Sequence, residues 1–248
     1  MVDPADDTNS NKMSRVCDDP DGGTIVRTRI LVADDHRLLR EAIGIRLSRE
    51  TDMQVVGEAE DGRVAVRLAR ELSPDVVIME VAMPNLNGVE ATRQIIREQP
   101  ATRIIAFSAG LDRRSVQEML AAGAAGCLPK TCSFEELLLA VRNVVSNHTY
   151  LSPQVCKMVI EGYVGWSTGR TKSAYSELTA REREVVQLIA EGMSTKMIAK
   201  ELCLSAKTIE WHRGRIMRKL GIESIAGLVR YAMAEGLTST GLVPAEAL

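Results

Sequence analysis

The chain has 248 residues, a formal net charge of -2, 45% hydrophobic residues and only 3% aromatic ones. That length suits one large or two ordinary domains, with cores built from Val, Ile, Leu, Ala and Met rather than from rings. The near-balanced charge excludes binding of polyanions by bulk charge, so any nucleic-acid contact has to come from a local patch. Cys17, Cys127, Cys132, Cys156 and Cys203 are scattered without a C-x-x-C pair or a Cys/His cluster. Their spacing argues against a disulfide framework or a zinc site and for a reducing, cytoplasmic setting. The opening MVDPADDTNSNKMSR has no apolar core, so it does not read as a signal peptide, and no apolar run approaches the ~18 residues of a membrane helix.

Residues 1–27 are rich in Asp, Asn, Ser, Gly and Thr and read as a disordered acidic leader. From 28 to 148 two kinds of segment alternate. Short apolar runs occur at 29–33, 53–59, 75–79, 103–107 and 125–129. Between them lie segments with helical spacing. One predicted face holds Leu38, Leu39, Ala42, Ile45 and Leu47. A second holds Val64, Ala65, Leu68, Ala69 and Leu72, and a third Leu137, Leu138, Val141 and Val144. This alternation predicts βαβ units and a doubly wound, five-stranded parallel sheet with helices on both faces. Residues 149–176 read as a linker carrying a short helix, with Ser152 as N-cap and Pro153 at its first position. From 177 to 237 the pattern is helical throughout. Thr179 and Glu182 form a capping box, Ser194, Ser205 and Glu223 mark further starts, and Gly192 and Gly221 mark stops. Four short helices make a small all-α domain, followed by a tail at 238–248.

In a doubly wound sheet, ligands gather at the carboxyl ends of the strands. The first apolar run ends in Asp34 and Asp35, the third in Glu80, the fourth in Ser108, and Lys130 follows the fifth. Converging carboxylates favour a hard divalent cation such as Mg²⁺, and a lysine and a hydroxyl beside it suit a phosphoryl group. Spacing alone also allows a set of solvated turn residues. The segments LVADDHRLLREAI, PDVVIMEVAMPNLNGVEATRQI, IIAFSAG and AAGAAGCLPK, in that order, resemble the CheY-like receiver domain of response regulators. The resemblance implies that Asp34 and Asp35, with Glu80, line a Mg²⁺ pocket. It implies that Ser108 is the switch hydroxyl and Lys130 the phosphate-pairing lysine, with a sensor histidine kinase as partner.

Two positions depart from that family. Glu80 stands where the family has its phosphoacceptor Asp, and Cys127 where it has a switch aromatic. A Glu reaches one methylene further and carries charge toward the phosphoryl position, so one reading has Glu80 mimicking activation, with the two domains already apart. A second has Glu80 itself phosphorylated, and a third a degenerate receiver used for dimerisation. Without the aromatic, the usual rotamer switch cannot operate, and Cys127 reads as a small buried hydrophobe.

In SAKTIEWHRGRIMRKL (205–220), Ile209, Ile216 and Leu220 share one helical face, and Lys207, Trp211, Gly214 and Arg218 the opposite one. A solvated surface helix would also show such a polar face, but an exposed Trp gains nothing there. The preceding helix, 194–202, turns tightly into this one with helix-turn-helix spacing. The stretch LTAREREVVQLIAEGMSTKMIAKELCLSAKTIEWHRGRIMRKLGIESIAGLVRYAMAEGL resembles the LuxR/FixJ-type DNA-binding domain, and the two modules together resemble the NarL/FixJ class. This implies that 205–220 is the recognition helix, with Lys207, Thr208, Trp211, Arg215 and Arg218 toward DNA. Glu210 would either accept from a cytosine amine or repel phosphate. It also implies a homodimer through the last helix, Ser224 to Glu235, using Ile225, Leu228 and Tyr231.

The expected function is therefore a sequence-specific, double-stranded-DNA-binding regulator with a receiver not switched by ordinary aspartyl phosphorylation. The alternatives are a signalling interaction module and a receiver still phosphorylated by a kinase. An enzyme is disfavoured, because His36, His148 and His212 fall in different regions and the acidic cluster has no activated nucleophile.

Overall fold

The computed structural model describes residues 16–18, 24–166, 178–235 and 237. Within the leader, β1 (Val16–Asp18) and β2 (Thr24–Val26) pair antiparallel, Val16 opposite Val26, where no regular structure was expected. The rest of the leader before Thr24, the polar linker at 167–177 and the tail at 238–248 lie outside the described residues.

The first large unit starts with β3 (Thr28–Ala33) and continues through α1 (Arg37–Leu47), β4 (Met53–Ala59), α2 (Gly62–Leu72), β5 (Val76–Met79), α3 (Gly88–Glu98), β6 (Arg103–Ser108), α4 (Arg113–Ala122), β7 (Gly126–Pro129) and α5 (Phe134–Val145). Every predicted strand is present within one or two residues of its apolar run. The sheet has six strands rather than five, in the order β4-β3-β5-β6-β7-β8, because β8 (Tyr150–Leu151) adds to the β7 edge. Its first residue bonds back through the Tyr150 N–H to the Ala125 carbonyl, and the Ser152 N–H donates to the Cys127 carbonyl. The linker is thereby stitched onto the sheet. It continues as α6 (Pro153–Trp166), where the Ser152 hydroxyl accepts from the Val155 N–H at 3.4 Å and Val155 is buried.

Two apolar layers sandwich the sheet. One gathers Leu31, Val77, Met79 and Ile104 under α2, α3 and α4; the other gathers Ile30, Val32, Ile78 and Ile105 under α1 and α5. The α5 face reads as predicted, with Leu137, Leu138, Val141 and Val144 buried. The α1 face does not. Arg40, Ile43 and Leu47 point inward, while Leu38 (82% exposed), Ala42 and Ile45 face solvent. Leu38 and Ile45 stand seven residues apart and so share a face, but it is the outer one.

Strand order reverses around β3, whose neighbours are β4 and β5. The carboxyl ends of β3 and β5 therefore border the crevice where this architecture builds sites. The loop leaving β5 is pulled back tightly. The Gly88 N–H donates to the Val81 carbonyl at 2.8 Å, and a Cβ on Gly88 would lie 2.0 Å from the Glu80 carbonyl oxygen.

The second unit holds α7 (Ala180–Ala190), α8 (Thr195–Glu201), α9 (Ala206–Leu220) and α10 (Ile225–Ala234). Thr179 and Glu182 close the predicted capping box, and Ser194 and Ser205 cap α8 and α9. The last helix is capped by Ser224 rather than started by Glu223, since the Ser224 hydroxyl accepts from the Gly227 N–H. Ile198, Ala199, Leu202, Ile209 and Ile216 are buried together, so α8 and α9 pack as a helix-turn-helix. Among the described residues no helix is long and apolar enough to cross a membrane.

Replacing Gly88 by Ala should cost about 3 kcal/mol of stability, because backbone rather than a yielding side chain blocks the methyl. Urea unfolding of the full chain measures this. A loss within about 0.5 kcal/mol, the usual range for a surface change, would contradict the close approach.

Candidate acidic pocket and nucleic-acid interface

The five residues singled out at the strand ends come together. Asp34 follows β3, Glu80 follows β5, Ser108 ends β6 and Lys130 follows β7; all four are buried or nearly so, and Asp35 is half-buried. The Lys130 ammonium sits between two carboxylates, 2.6 Å from Asp34 Oδ2 and 2.5 Å from Glu80 Oε2. Burial pulls this ammonium down, but its bonds to Asp34 and Glu80 outweigh that and hold it above its ordinary pKa. The Lys130 N–H also donates to the Ser108 carbonyl at 2.9 Å, which fixes the lysine's stem to the neighbouring strand end.

Glu80 does not project its carboxylate freely toward a phosphoryl position. Oε1 folds back to accept from the Val81 N–H at 2.7 Å and the Ala82 N–H at 3.2 Å, while Oε2 takes Lys130. The extra methylene is used to reach the protein's own donors.

Among the described residues, the group whose ligand atoms all lie within 4.8 Å of one another is Asp34, Asp35 and His36. The predicted set had Glu80 in place of His36. His36 Nδ1 lies 2.8 Å from Asp35 Oδ1 and 3.2 Å from Asp34 Oδ1, on a ring that is 71% exposed and can swing aside. The two aspartates offer hard oxygen donors that fit a divalent cation such as Mg²⁺; Glu80, tied to three donors, fits less well. Cys127 is fully buried, and burial pushes its thiol up to about 12, so it packs as a hydrophobe.

On α9, Lys207, Glu210, Trp211, Gly214, Arg215 and Arg218 are exposed and Thr208 is half-buried. Trp211 is 57% exposed, and the Arg215 guanidinium stands 5.2 Å from its ring centre. The Thr208 hydroxyl lies 2.7 Å from that of Ser205, at the helix N-terminus. Sequence reasoning missed what holds this face in place. Glu182, buried on α7, accepts from Lys219 Nζ at 2.6 Å and pairs with Arg215 Nε at 3.2 Å. Burial raises its carboxyl, yet Lys219 and Thr179 hold it below the usual range. The capping-box motif was the sequence signal for Glu182, but it pointed to only one of that carboxylate's partners. Leu228 is fully buried inside the domain, so it is not available to a partner copy; Ile225 is exposed and Tyr231 half-buried.

The two units are packed together, not apart as the phosphomimetic reading requires. Fully buried Gln187 on α7 accepts from the Asn87 N–H and Nδ2, both at 3.0 Å, and donates to the Met83 carbonyl at 2.9 Å. Arg183 Nε donates to buried Glu90 at 2.6 Å, Arg63 pairs with Glu201 at 3.2 Å, and Arg114 pairs with Glu235. A cleft of about 380 Å³ lies at the junction, lined by Asp35, Glu80 and Ser108 from one unit and Met233, Glu235 and Leu237 from the other. None of these docking residues was legible as such; Arg183, Gln187 and Glu191, which accepts from the Asn85 N–H at 3.3 Å, only make a polar stripe at helical spacing.

Comparison with known proteins places both units. Residues 30–142 match the response regulator receiver domain, and residues 176–232 match the bacterial regulatory proteins of the luxR family. The chain is 35% identical to the response regulator GacA of Pseudomonas aeruginosa over 209 residues, covering 84% of this chain and 97% of that one. It is 36% identical to the oxygen regulatory protein NreC of Staphylococcus aureus over 213 residues, covering 84% and 98%. Among solved structures it is similar to RcsB from Salmonella enterica bound to the promoter rprA with the phosphomimetic BeF3-, with a TM-score of 0.55 and 26% identity over 83% of this chain and 98% of that one. A LuxR-family response regulator from Aurantimonas is also similar, with a TM-score of 0.53 and 33% identity over 56% of this chain and 99% of that one.

Replacing Lys130 by Ala leaves two buried carboxylates without their cation and should cost about 3–5 kcal/mol. Added Mg²⁺ should return part of that stability, read as the unfolding midpoint with and without the ion; a variant as stable as the parent would contradict the bridge. In a thiol-labelling time course at pH 8, exposed Cys203 should react quickly and Cys127 only on unfolding. Early labelling of Cys127 would show that its pocket opens.

Proposed function

Because the chain belongs to the two-component response regulators that join a receiver domain to a LuxR-type DNA-binding domain, we propose that it reads specific double-stranded DNA sites as a homodimer, with α9 in the major groove and a receiver not driven by ordinary aspartyl phosphorylation. The observation that carries the DNA reading is the solvent-facing set on α9. Lys207, Trp211, Arg215 and Arg218 stand on one exposed face while Ile209 and Ile216 lock the other into the domain core. Thr208, at the helix N-terminus, would contact a phosphate, because backbone N–H groups and the helix dipole there favour an anion. Glu210, exposed beside this face, would accept from a cytosine amine or repel phosphate. Two copies would present recognition helices about 34–36 Å apart, one turn of DNA.

The receiver reading rests on Glu80. Both of its oxygens are engaged by Lys130 and by the Val81 and Ala82 N–H groups, so a phosphoryl group would have to displace those bonds. Asp34 and Asp35 would hold Mg²⁺, which in a receiver neutralises charge beside the phosphoacceptor position. Ser108 and Lys130 keep the family's positions for switching and phosphate pairing. A sensor histidine kinase is a partner only if the pocket still accepts a phosphoryl group.

The test selects sites from a randomised duplex library with untreated protein, then measures affinity for the enriched duplex with and without acetyl phosphate and Mg²⁺. The expected result is specific binding that the donor changes by less than about tenfold. Binding seen only with the donor would mean that Glu80 is phosphorylated and this reading of the receiver is wrong. In the same assay, Trp211→Ala should lose about 1–3 kcal/mol on the enriched duplex and less on random duplex. Equal losses on both would show that Trp211 does not read bases.

A further inference from the structure

The cleft of about 380 Å³ at the junction has an acidic lining. Among the described residues it is walled by the carboxylates of Asp35, Glu80, Asp112, Glu118 and Glu235, and by no lysine or arginine. Two of these carboxylates are already engaged. Glu80 has its three donors, and Asp112 caps α4 by accepting from the Ser115 N–H at 2.7 Å. Glu118 and Glu235 both face the Arg114 guanidinium, so one positive charge stands against two negative ones. The next cations, Arg93 and Arg183, pair with Glu90. Burial raises the Glu118 carboxyl, although Arg114, Arg93 and Arg183 pull it down. Ser108 is a separate sign of a ligand. It lines the cleft, is 4% exposed, and its hydroxyl makes no hydrogen bond to the described residues. A hydroxyl so far removed from water costs free energy until it finds a partner. The remaining wall is apolar, with Val89 and Leu237 buried and Met233 exposed.

We propose that this cleft binds a small organic ammonium ion, with its charged head among Ser108, Glu118 and Glu235 and its apolar body along Val89, Met233 and Leu237. An ammonium group carries three donors and no acceptor, which suits a wall of carboxylates and one unpaired hydroxyl. Its charge offsets the excess that Arg114 leaves at Glu118 and Glu235. A phosphate or carboxylate ligand would instead meet like charge in a partly desolvated space. A neutral ligand would leave that excess as it is. A hydrated Mg²⁺ ion fits the hard oxygens of Asp34 and Asp35 and gains nothing from an apolar wall. The volume lies in the range of small-molecule sites, which favour junctions between units. Both units supply the lining here, and neither completes it alone. An amine held there gives the chain a chemical input that needs no phosphodonor and no free oxygen on Glu80. The site stands whether or not α9 reads DNA.

The experiment titrates the full chain calorimetrically in about 0.15 M salt, which screens amines gathered at exposed carboxylates. Three probes share one body and differ in the head: phenethylamine, phenethyl alcohol and phenylacetate. A fourth, Nα-acetyl-lysine amide, presents the same ammonium as a protein partner would. The same titrations are run on Ser108→Ala, Glu118→Gln and Met233→Ser, each checked for folding by thermal melting. Met233 is exposed, so its variant keeps the test decisive if Ser108→Ala fails to fold. Phenethylamine should bind once per chain with a dissociation constant of about 1 mM or below, at least about tenfold tighter than the alcohol, and phenylacetate should bind more weakly still. Ser108→Ala and Met233→Ser should each loosen the amine by about threefold or more, and Glu118→Gln by about tenfold. An alcohol that binds as tightly as the amine overturns the claim that the cleft selects a cation. Amine binding unchanged in every folded variant places the amine elsewhere and overturns the site. Loss with Ser108→Ala and Glu118→Gln but not with Met233→Ser overturns the apolar wall drawn from the second unit. A lysine amide that binds as tightly as phenethylamine shows that the cleft takes a partner's basic side chain, and overturns the small-molecule reading.

Discussion

One ammonium group organises the receiver. Lys130 places a single positive charge between the buried carboxylates of Asp34 and Glu80, within 2.6 Å of each. Two like charges brought this close in a desolvated crevice would repel strongly without it. With the cation in place, Asp34 and Glu80 are each neutralised in part, and the strand ends that carry them can converge. The remaining oxygen of Glu80 is then free to gather the Val81 and Ala82 N–H groups. A loop shaped by its own first side chain follows. Its return to α3 depends on Gly88, because no side chain fits against the Glu80 carbonyl.

That loop is where the two units meet, and α7 is the helix that meets it. Adjacent residues of α7 face opposite ways. Glu182 reaches into its own domain, where Lys219 and Arg215 fasten α9 to it, and Arg183 reaches out to Glu90 of the receiver. One turn on, Gln187 takes the Met83 carbonyl and Asn87. The loop therefore touches the same helix that Glu182 ties to α9. Arg215 in turn lies over Trp211, so this exposed aromatic face is backed by an ion pair rather than standing alone.

Much of this was legible in the sequence, and the failures have physical causes. Buried parallel strands are near-continuous apolar runs, which is why 53–59 and 103–107 located β4 and β6 so closely. The caps at Thr179, Ser194 and Ser205 were legible because the side chain itself makes the bond. On α1 the apolar residues outnumber the positions that the core can take, so pattern alone put Leu38 and Ile45 on the wrong side. Two-residue β8 is too short to show any period, and it exists because the β7 edge offers unpaired groups. The convergence of Asp34, Ser108 and Lys130 follows from strand order. The behaviour of Glu80 does not, since a longer side chain can reach either outward or back to the N–H groups beside it. Gln187 carried no signal at all: a glutamine on a helix surface looks the same whether water or a second unit satisfies it.

The central claim is that the pocket and the docking surface share one loop, with Glu80 holding one end and Gln187 the other. Amide hydrogen exchange on the full chain, comparing the parent with Glu80→Ala, tests it most directly. The account predicts that protection falls at Val81 and Ala82, which lose their acceptor, and falls together with it at Asn87, whose N–H is bound by Gln187. Loss at Val81 and Ala82 with Asn87 still fully protected would show that the pocket and the docked helix are independent, and would contradict the account.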